Sequence, residues 1–409
     1  MFTRFLPAAF CLAALLPAIG HAAPLSLEEA LRLASEQSLA ARAARAGATG
    51  AAEAARAAAQ LPDPMLSVGI DNLPATGPDR FRPNADFQTM KRIGISQEWV
   101  SPRKRQLREA AAQAQSGKEA AGISVALSDA RVQTALAYLD AFYASESLKL
   151  ARETEHHLHE EFEAAKSRLA SSSGSSQEVL ALTASRGAAE DDSAEQQQQA
   201  ASALVALERW IRTRPEALVA PSFQAMPTED AYVNASPAVA TAQAELELAR
   251  REVSAVAANR TANWTWQASY GQRTGFSDMV SFGVSIPLQI APGERQDRET
   301  ASKLALADKS EAALEDARRA VAAEYRALQS DVQRLSQRIE RFKAGVLAPA
   351  QRRIEAALAG YRSNQVALMT VFEARHAEVD LQRKLLSMQK ELAKVQAQLA
   401  FKPIPGGAQ

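Results

Sequence analysis

Residues 280–288 have the sequence VSFGVSIPL, in which large apolar side chains alternate with small or polar residues. Three other stretches alternate in the same way: 66–71 (LSVGID), 93–99 (IGISQEW) and 263–271 (NWTWQASYG). A period of two residues is typical of a β-strand that has one apolar and one polar face. The sequence therefore predicts four amphipathic strands, arranged as two hairpins far apart in the chain.

Long helices are predicted to follow each hairpin. Ser101 and Pro102 place a capping residue before a proline at the first helical position, and no further proline occurs before about Ala170. At 1.5 Å per residue, this helix would form a rod of roughly 100 Å. A Ser-rich turn at 171–176 precedes a helix that returns from about 177 to 212. Such rods bury little surface alone, so we expect them to pack as coiled coils.

The same order of elements is predicted a second time. A helix from about 295 to 359, a turn near Ser363 and Asn364, and a return from about 366 to 400 form the second helical hairpin. Ahead of the strands, the capping box at Ser26 opens a helix to about Leu61, and Ser236-Pro237 opens its counterpart. We therefore divide the chain into a first repeat (23–214), a linker (215–235), a second repeat (236–400) and a tail (401–409).

The first 22 residues have the pattern of a secretory signal peptide. Arg4 precedes an apolar run at 5–19, and small residues occupy the positions before the expected cleavage site near Ala23. No later stretch approaches the roughly 20 apolar residues that a membrane-spanning helix needs.

Composition excludes several classes of function. The 409 residues carry 47 basic and 47 acidic side chains, so there is no basic excess for binding nucleic acid. The only cysteine lies within the signal, which excludes a disulfide framework and a thiolate metal cluster. Aromatic residues make up 6% of the chain, and alanine dominates the apolar fraction. This composition favours long, closely packed helices over a thick globular core.

Four strands with an apolar face cannot close a membrane barrel by themselves. Open sheet edges are not tolerated in lipid, and small closed barrels begin at eight strands, so several chains must contribute. A trimer would supply twelve strands, its helices would extend the barrel into a tube, and the polar side chains would line a water-filled lumen. The alternative for the strands is a soluble sheet with one half-buried face. A periplasmic coiled-coil structural protein is a separate alternative for the whole chain, but such a rod has no use for two amphipathic β-hairpins.

One hairpin carries a family resemblance. Residues 71–74 (DNLP) and 86–98 (DFQTMKRIGISQE), followed by Lys104-Arg105, resemble the heavy-metal (CzcC- and CusC-like) branch of the TolC-type outer membrane factor family. The order of elements is similar to that family over nearly the whole chain after the signal. The resemblance implies a mainly α protein with a membrane β-barrel: a homotrimer with a 12-stranded barrel in outer membrane lipid and a periplasmic helical tunnel.

The resemblance also implies function and partners. We expect a channel of a tripartite efflux system that exports heavy-metal cations, working with a periplasmic adaptor (membrane fusion protein) and a resistance-nodulation-division pump of the inner membrane. Export of drugs or other organic compounds by the same fold is the alternative. No catalytic constellation, cofactor motif or nucleic-acid partner is expected.

Site residues follow from the family's helical turns, where the adaptor docks and the channel is gated. The matching residues are Arg168, Leu169 and Gly174 in the first turn and Tyr361 and Asn364 in the second. Family members often carry two acidic residues on the second returning helix, which form rings at the aperture. The resemblance places one of these positions at Glu373 and the other at Thr370, which is not acidic. Three Glu373 carboxylates around a threefold axis would attract cations. The alternative is an ordinary surface glutamate.

His156 and His159 are the only other candidates. They lie three residues apart on one helix face and could share a soft divalent metal ion. Two imidazoles form an incomplete site, however, and a solvated helix face is the alternative interpretation.

Overall fold

The computed structural model describes residues 24–223 and 226–404, so the predicted signal peptide at 1–22 lies outside the described residues. The strands are β1 (Met65–Asp71), β2 (Met90–Trp99), β3 (Trp264–Arg273) and β4 (Met279–Ser285). The helices are α1 (Leu27–Gln37), α2 (Leu39–Ala58), α3 (Pro102–Ala170), α4 (Ser176–Ile211), α5 (Glu229–Asn234), α6 (Pro237–Ala257), α7 (Gln296–Phe342), α8 (Ala348–Arg362) and α9 (Leu368–Phe401). The predicted fold class, mainly α with four β-strands, is confirmed.

The long helix α3 has the bounds that its sequence predicts. Ser101 caps it, because the Ser101 hydroxyl accepts a hydrogen bond of 3.3 Å from the Lys104 N–H. The capping prediction for Ser236 is only half right: Pro237 opens α6, but the Ser236 side chain makes no capping hydrogen bond. In the part of the chain that the structure describes, no helix has an apolar stretch long enough to cross a membrane.

Two helices predicted as continuous are interrupted. The first ends at Ala58 instead of Leu61 and breaks at Ser38, whose extended backbone separates α1 from α2. The Ser38 hydroxyl accepts a hydrogen bond from the Ala41 N–H at 3.1 Å, so the serine acts as a cap inside the predicted helix. The second interruption is a π-helical segment, Lys343–Leu347, between α7 and α8.

The four strands form one antiparallel sheet in the order β1-β2-β3-β4. Pairing of β2 with β3 joins the two hairpins, with Ile95 opposite Ala268. The fourth strand ends at Ser285, although the alternation of residues 280–288 predicts continuation to Leu288. Pro287 explains the difference, because proline has no N–H for the strand ladder.

The main helical core surrounds the middle of α3, which packs against α2, α4, α6 and α9. Tyr138 on α3 is fully buried, and its hydroxyl lies 2.8 Å from the Leu25 carbonyl oxygen and 2.7 Å from that of Val219. Leu25 also forms a parallel bridge with Leu218 in the linker. Tyr138 therefore fixes the chain before α1 and the linker between the repeats against the same helix.

Candidate functional sites on the sheet and at the helical turns

One face of the sheet is apolar across all four strands. The register places large or aliphatic side chains in shared rows, one being Leu66, Ile95, Ala268 and Phe282, and the next Val68, Ile93, Tyr270 and Val280. These side chains are not covered: Val68 is 76% exposed and Phe282 is 82% exposed. An exposed apolar face of this extent indicates a surface that contacts lipid or another chain.

The opposite face is polar and sterically crowded. Its central row consists of Ser67, Gly94, Ser269 and Ser281, all of them small residues. A Cβ atom at Gly94 would lie only 3.0 Å from both the Ser67 hydroxyl oxygen and the Ser269 Cβ atom. Crowding on one face is expected for the inner side of a curved sheet, where glycine relieves the close approach. The polar face is therefore suited to line a lumen.

Aromatic side chains lie at both ends of the sheet. Trp99 and Trp264 pair at the end next to the helices, with 6.0 Å between ring centroids. Phe87 and Phe276 pair at the opposite end, between the two strand-connecting loops, at 5.7 Å. Aromatic residues at both borders of an apolar band are typical of transmembrane strands.

A buried polar network connects the sheet to the helices. Lys104 on α3 is buried, and its Nζ donates hydrogen bonds of 2.9 Å to the Thr261 carbonyl oxygen and to Asn263 Oδ1. Asn263 in turn donates a 2.7 Å hydrogen bond to Glu98 on β2. Burial lowers the pKa of Lys104. The sequence pattern did not predict this network, which joins both repeats where the sheet meets the helices.

The first helical turn, between α3 and α4, closes with two hydrogen bonds of the Schellman type. The Ser173 N–H donates to the Arg168 carbonyl oxygen at 2.9 Å, and the Ser172 N–H donates to that of Leu169 at 3.1 Å. Ser172 has the left-handed conformation, with φ of 59°. Gly174 is required for close approach, since a Cβ atom there would lie 3.0 Å from the Leu169 backbone nitrogen.

The second helical turn, between α8 and α9, has the same hydrogen-bond pattern. The Gln365 N–H donates to the Gly360 carbonyl oxygen at 2.8 Å, and the Asn364 N–H donates to that of Tyr361 at 3.0 Å. Asn364 is left-handed, with φ of 60°. Here the glycine precedes the turn: a Cβ atom at Gly360 would lie 3.1 Å from a methyl group of Val366.

The predicted docking residues thus occupy the two turns, although their contact with an adaptor stays a prediction. Arg168 also forms an ion pair with Glu178 on α4 at 3.2 Å, and this contact stabilises the first turn. Leu169, Leu180 and Val366 are exposed apolar side chains in or next to these turns.

The two predicted aperture positions differ in their surroundings. Thr370 lies in the first turn of α9, is half-buried, and its N–H donates to the Ala367 carbonyl oxygen at 3.0 Å. Glu373 is exposed, while its neighbours Phe372 and Ala374 are buried. Glu373 therefore faces away from the helical core, as an aperture residue would, and its role there stays a prediction.

The histidines predicted as a weak metal site are exposed on α3. His156 Nε2 lies 3.4 Å from a carboxylate oxygen of Glu160, and His157 Nδ1 lies 3.5 Å from the other oxygen. His159 is also exposed. Within residues 24–223 and 226–404, no group of three or more His, Cys, Asp or Glu side chains is placed to hold a metal ion. Metal binding by His156 and His159 stays a prediction.

The sequence interpretation missed a buried charge cluster near the turns. Glu161 on α3 is 4% exposed and lies 3.7 Å from both Arg375 and His376 on α9. Burial raises the pKa of Glu161 to about 7 and lowers that of His376. One signal could have revealed it: Glu161 shares a helix face with the buried residues Leu158 and Ala165.

Comparison with known proteins finds relatives in structure only. No protein-family model matches the chain, and no curated protein matches it. The structure is similar to that of CusC, solved in a study of folding and transmembrane channel formation, with a TM-score of 0.76, 15% identity, and coverage of 92% of this chain and 91% of that one. It is also similar to the outer membrane protein VceC of Vibrio cholerae (TM-score 0.73, 16% identity, 92% and 96% covered). A third similar structure is the open state of the MtrE outer membrane channel of Neisseria gonorrhoeae (TM-score 0.72, 16% identity, 92% and 88% covered).

At such low identity, these likenesses establish the fold alone. The chain has the outer membrane factor fold: long helical hairpins together with four strands of the kind that contribute to a shared barrel. VceC is described as an outer membrane protein and MtrE as an outer membrane channel.

Proposed function

We propose that this protein is the outer membrane channel of a tripartite efflux system and acts as a homotrimer. The observation that carries the proposal is the apolar sheet face, whose central rows include side chains from all four strands, most of them exposed. Among the described residues, β1 pairs only with β2 and β4 only with β3, so each outer strand has one edge open for pairing. Lipid does not tolerate open edges, and three such sheets would close a twelve-stranded barrel.

Matched variants on the two sheet faces test this proposal. Phe282→Lys places a charge on the apolar face, where it costs about 2–4 kcal/mol at the bilayer midplane. Ser281→Lys places the same charge on the neighbouring polar face, where water would solvate it. We expect the Phe282 variant to be lost from the outer membrane fraction, while the Ser281 variant assembles there. Equal recovery of both proteins in the soluble periplasmic fraction would instead favour the coiled-coil structural protein.

The helices would continue the barrel as a periplasmic tube that ends at the two helical turns. Glu373 is exposed on α9 near the second turn, so a threefold assembly could bring three carboxylates together at the aperture. Such a ring would attract cations and make the constriction selective for them. The adaptor would dock at the turn residues Arg168, Leu169, Gly174, Tyr361 and Asn364, and an inner membrane pump would supply the energy.

Glu373→Ala tests the aperture. We expect higher leak conductance or weaker cation preference in planar bilayers, because the carboxylate ring is removed. Glu355→Ala is the matched control, since Glu355 is an exposed glutamate on α8 of the same hairpin. If the Glu373 variant keeps the conductance and ion preference of the control, Glu373 is not part of the gate.

Heavy-metal cations are the substrates that we propose, with a resistance-nodulation-division pump as partner. The support is the sequence resemblance of residues 71–98 to the heavy-metal branch. Growth of a deletion strain on zinc, cobalt, cadmium, nickel, copper and silver, with dyes and antibiotics in parallel, tests this choice. Sensitivity restricted to one group of metals supports it, whereas sensitivity to dyes and antibiotics alone would move the same channel to multidrug export.

A further inference from the structure

The π-helical segment 343–347 interrupts the second helical hairpin for an identifiable chemical reason. Pro349, the second residue of α8, has no N–H to donate to the Gly345 carbonyl oxygen and would clash with it in a regular α-helix. The Ala348 N–H donates instead to the Lys343 carbonyl oxygen, one residue further back than in an α-helix. The segment thus accommodates one extra residue directly before the proline.

The side chains of this segment are not buried. Lys343, Ala344 and Val346 are exposed, Gly345 has no side chain, and Leu347 is half-buried. A Cβ atom at Gly345 would meet nothing within 4 Å. The first hairpin differs, because its long helix α3 is continuous for 69 residues and has buried side chains along most of its length.

The chain beyond the π segment forms a small body of its own, which we call the distal tip (residues 348–378). Its two helices share an apolar cluster of Ala357, Val371 and Ala374, with Ile354, Leu358 and Tyr361 packed against it. A 3.2 Å hydrogen bond from Gln351 to Glu378 also joins the two helices. These contacts lie within the distal tip, so they would persist if the tip changed its position relative to the rest of the chain.

Two groups of contacts join the distal tip to the first hairpin. Phe372 is buried in an apolar cluster with side chains of α3 and α4, and Leu368 and Met369 pack against the same cluster. Glu161 of α3 lies 3.7 Å from both Arg375 and His376 of α9, a separation longer than a hydrogen bond. Displacement of the tip would require Phe372 to leave this cluster and would lengthen the Glu161–Arg375 contact.

We propose that the π segment is a hinge about which the distal tip swings away from the first hairpin, taking Phe372 out of its cluster. At the π segment, α8 would change direction relative to α7. The helix α9 has no interruption, so it would bend gradually over its length. Only the link between this hinge and the channel's gate rests on the proposed function. The hinge itself can be tested without any channel measurement.

A straightened variant tests the hinge. Deletion of Gly345 together with Pro349→Ala removes the extra residue and restores the missing donor, so that α7 and α8 become one α-helix with flanking residues in register. Amide hydrogen exchange of residues 350–362 is measured in the full chain in detergent micelles. We expect about tenfold greater protection than in the wild type, because local opening at the hinge is suppressed. Pro349→Ala alone should increase the protection of residues 350–362 by a smaller factor. This single variant provides the test if the deletion variant fails to fold.

Gly187→Ala is the matched control. Gly187 is a helical glycine in α4 of the first hairpin, also with nothing within 4 Å of a Cβ atom. The control should leave protection of 350–362 unchanged. If Pro349→Ala and the straightened variant also leave it unchanged, or if the control raises it equally, the hinge assignment is wrong.

A second comparison separates the hinge from the proposed function. Phe372→Ala should lower protection of 350–362 in the wild-type background and lower it less in the straightened variant; equal effects in both backgrounds would overturn the hinge. Conductance in potassium chloride is then measured in planar bilayers. Reduced opening of the straightened variant links the hinge to the gate. Altered exchange in a protein that never conducts leaves the hinge standing and removes the channel function.

Discussion

The two helical hairpins have the same turn geometry but differ in which side chains they bury. Both turns use the same pair of hydrogen bonds around a left-handed residue, Ser172 in the first and Asn364 in the second. Leu180 and Phe372 occupy the same position relative to these residues, yet Leu180 is 70% exposed and Phe372 is 4% exposed. The comparison teaches that matching positions of a repeated sequence pattern can have opposite burial: Phe372 of the second hairpin packs against the first hairpin, whereas Leu180 is exposed.

The largest expected difference is between Phe372→Ala and Leu180→Ala. Removal of the buried Phe372 ring should lower the free energy of unfolding by about 3 kcal/mol, because it leaves a cavity among side chains of both hairpins. Leu180→Ala should cost about 0.5 kcal/mol, since most of that side chain is already in water. Urea unfolding followed by helical circular dichroism measures both. Equal losses would contradict the asymmetry of the two hairpins.

The buried charge cluster between the hairpins should make stability depend on pH. Glu161 has a pKa of about 7 in the folded protein and an ordinary value of 4.5, because burial penalises its ionised form. The unfolded state therefore ionises first as the pH rises, and the free energy of unfolding should fall by about 2 kcal/mol between about pH 4.5 and 7. His376 acts in the opposite direction as the pH falls below its ordinary 6.5, because burial favours its neutral form.

Adjacent glutamates isolate the contribution of Glu161. Glu161→Gln should remove the loss of stability with rising pH, whereas Glu160→Gln should retain it, because Glu160 is exposed on the same helix. Unfolding at about pH 5 and about pH 8 gives the comparison. A pH dependence that survives in the Glu161 variant would assign it to another group.

The smallest expected difference concerns the two turn glycines. Gly174→Ala places a Cβ atom against the Leu169 backbone and should cost about 1–2 kcal/mol, since the backbone cannot move aside without breaking the turn. Gly360→Ala meets only a Val366 methyl group, which can shift, and alanine is the better helix former there. We expect a change below about 0.5 kcal/mol for Gly360→Ala. Thermal unfolding of both variants measures this contrast, and a larger loss at Gly360 would reverse it.

Much of the fold could be predicted because it depends on local patterns. Alternation in residues 280–288 predicts a strand, and the capped, proline-free run after Ser101 predicts the 69-residue helix. The predictions were wrong where one side chain overrides a long pattern. Ser38 and Pro349 break helices, and Pro287 ends β4 early. Each of these residues removes a backbone hydrogen bond or replaces it with a side-chain hydrogen bond. Hydrophobic periodicity does not predict such changes.

The candidate sites were predictable to a lesser degree. The positions of the two turns follow from the order of elements, and Arg168, Leu169, Gly174, Tyr361 and Asn364 lie in or beside them. Their role in docking rests on the family resemblance and stays a prediction. The cluster around Glu161 and the network around Lys104 join segments far apart in the chain. A local sequence pattern does not predict contacts between distant segments, because each of these residues alone looks like an ordinary charged residue on a helix.

The sequence by itself determined the four amphipathic strands, the long helices and the two turns, since these depend on side-chain periodicity and on capping residues within a few positions. Only the tertiary structure decided that β2 pairs with β3 to make one sheet, that Phe372 is buried while Leu180 is exposed, and that a buried Glu161 faces Arg375 and His376. The physical reason is that burial and pairing depend on which distant segments meet, and each repeat meets a different neighbour.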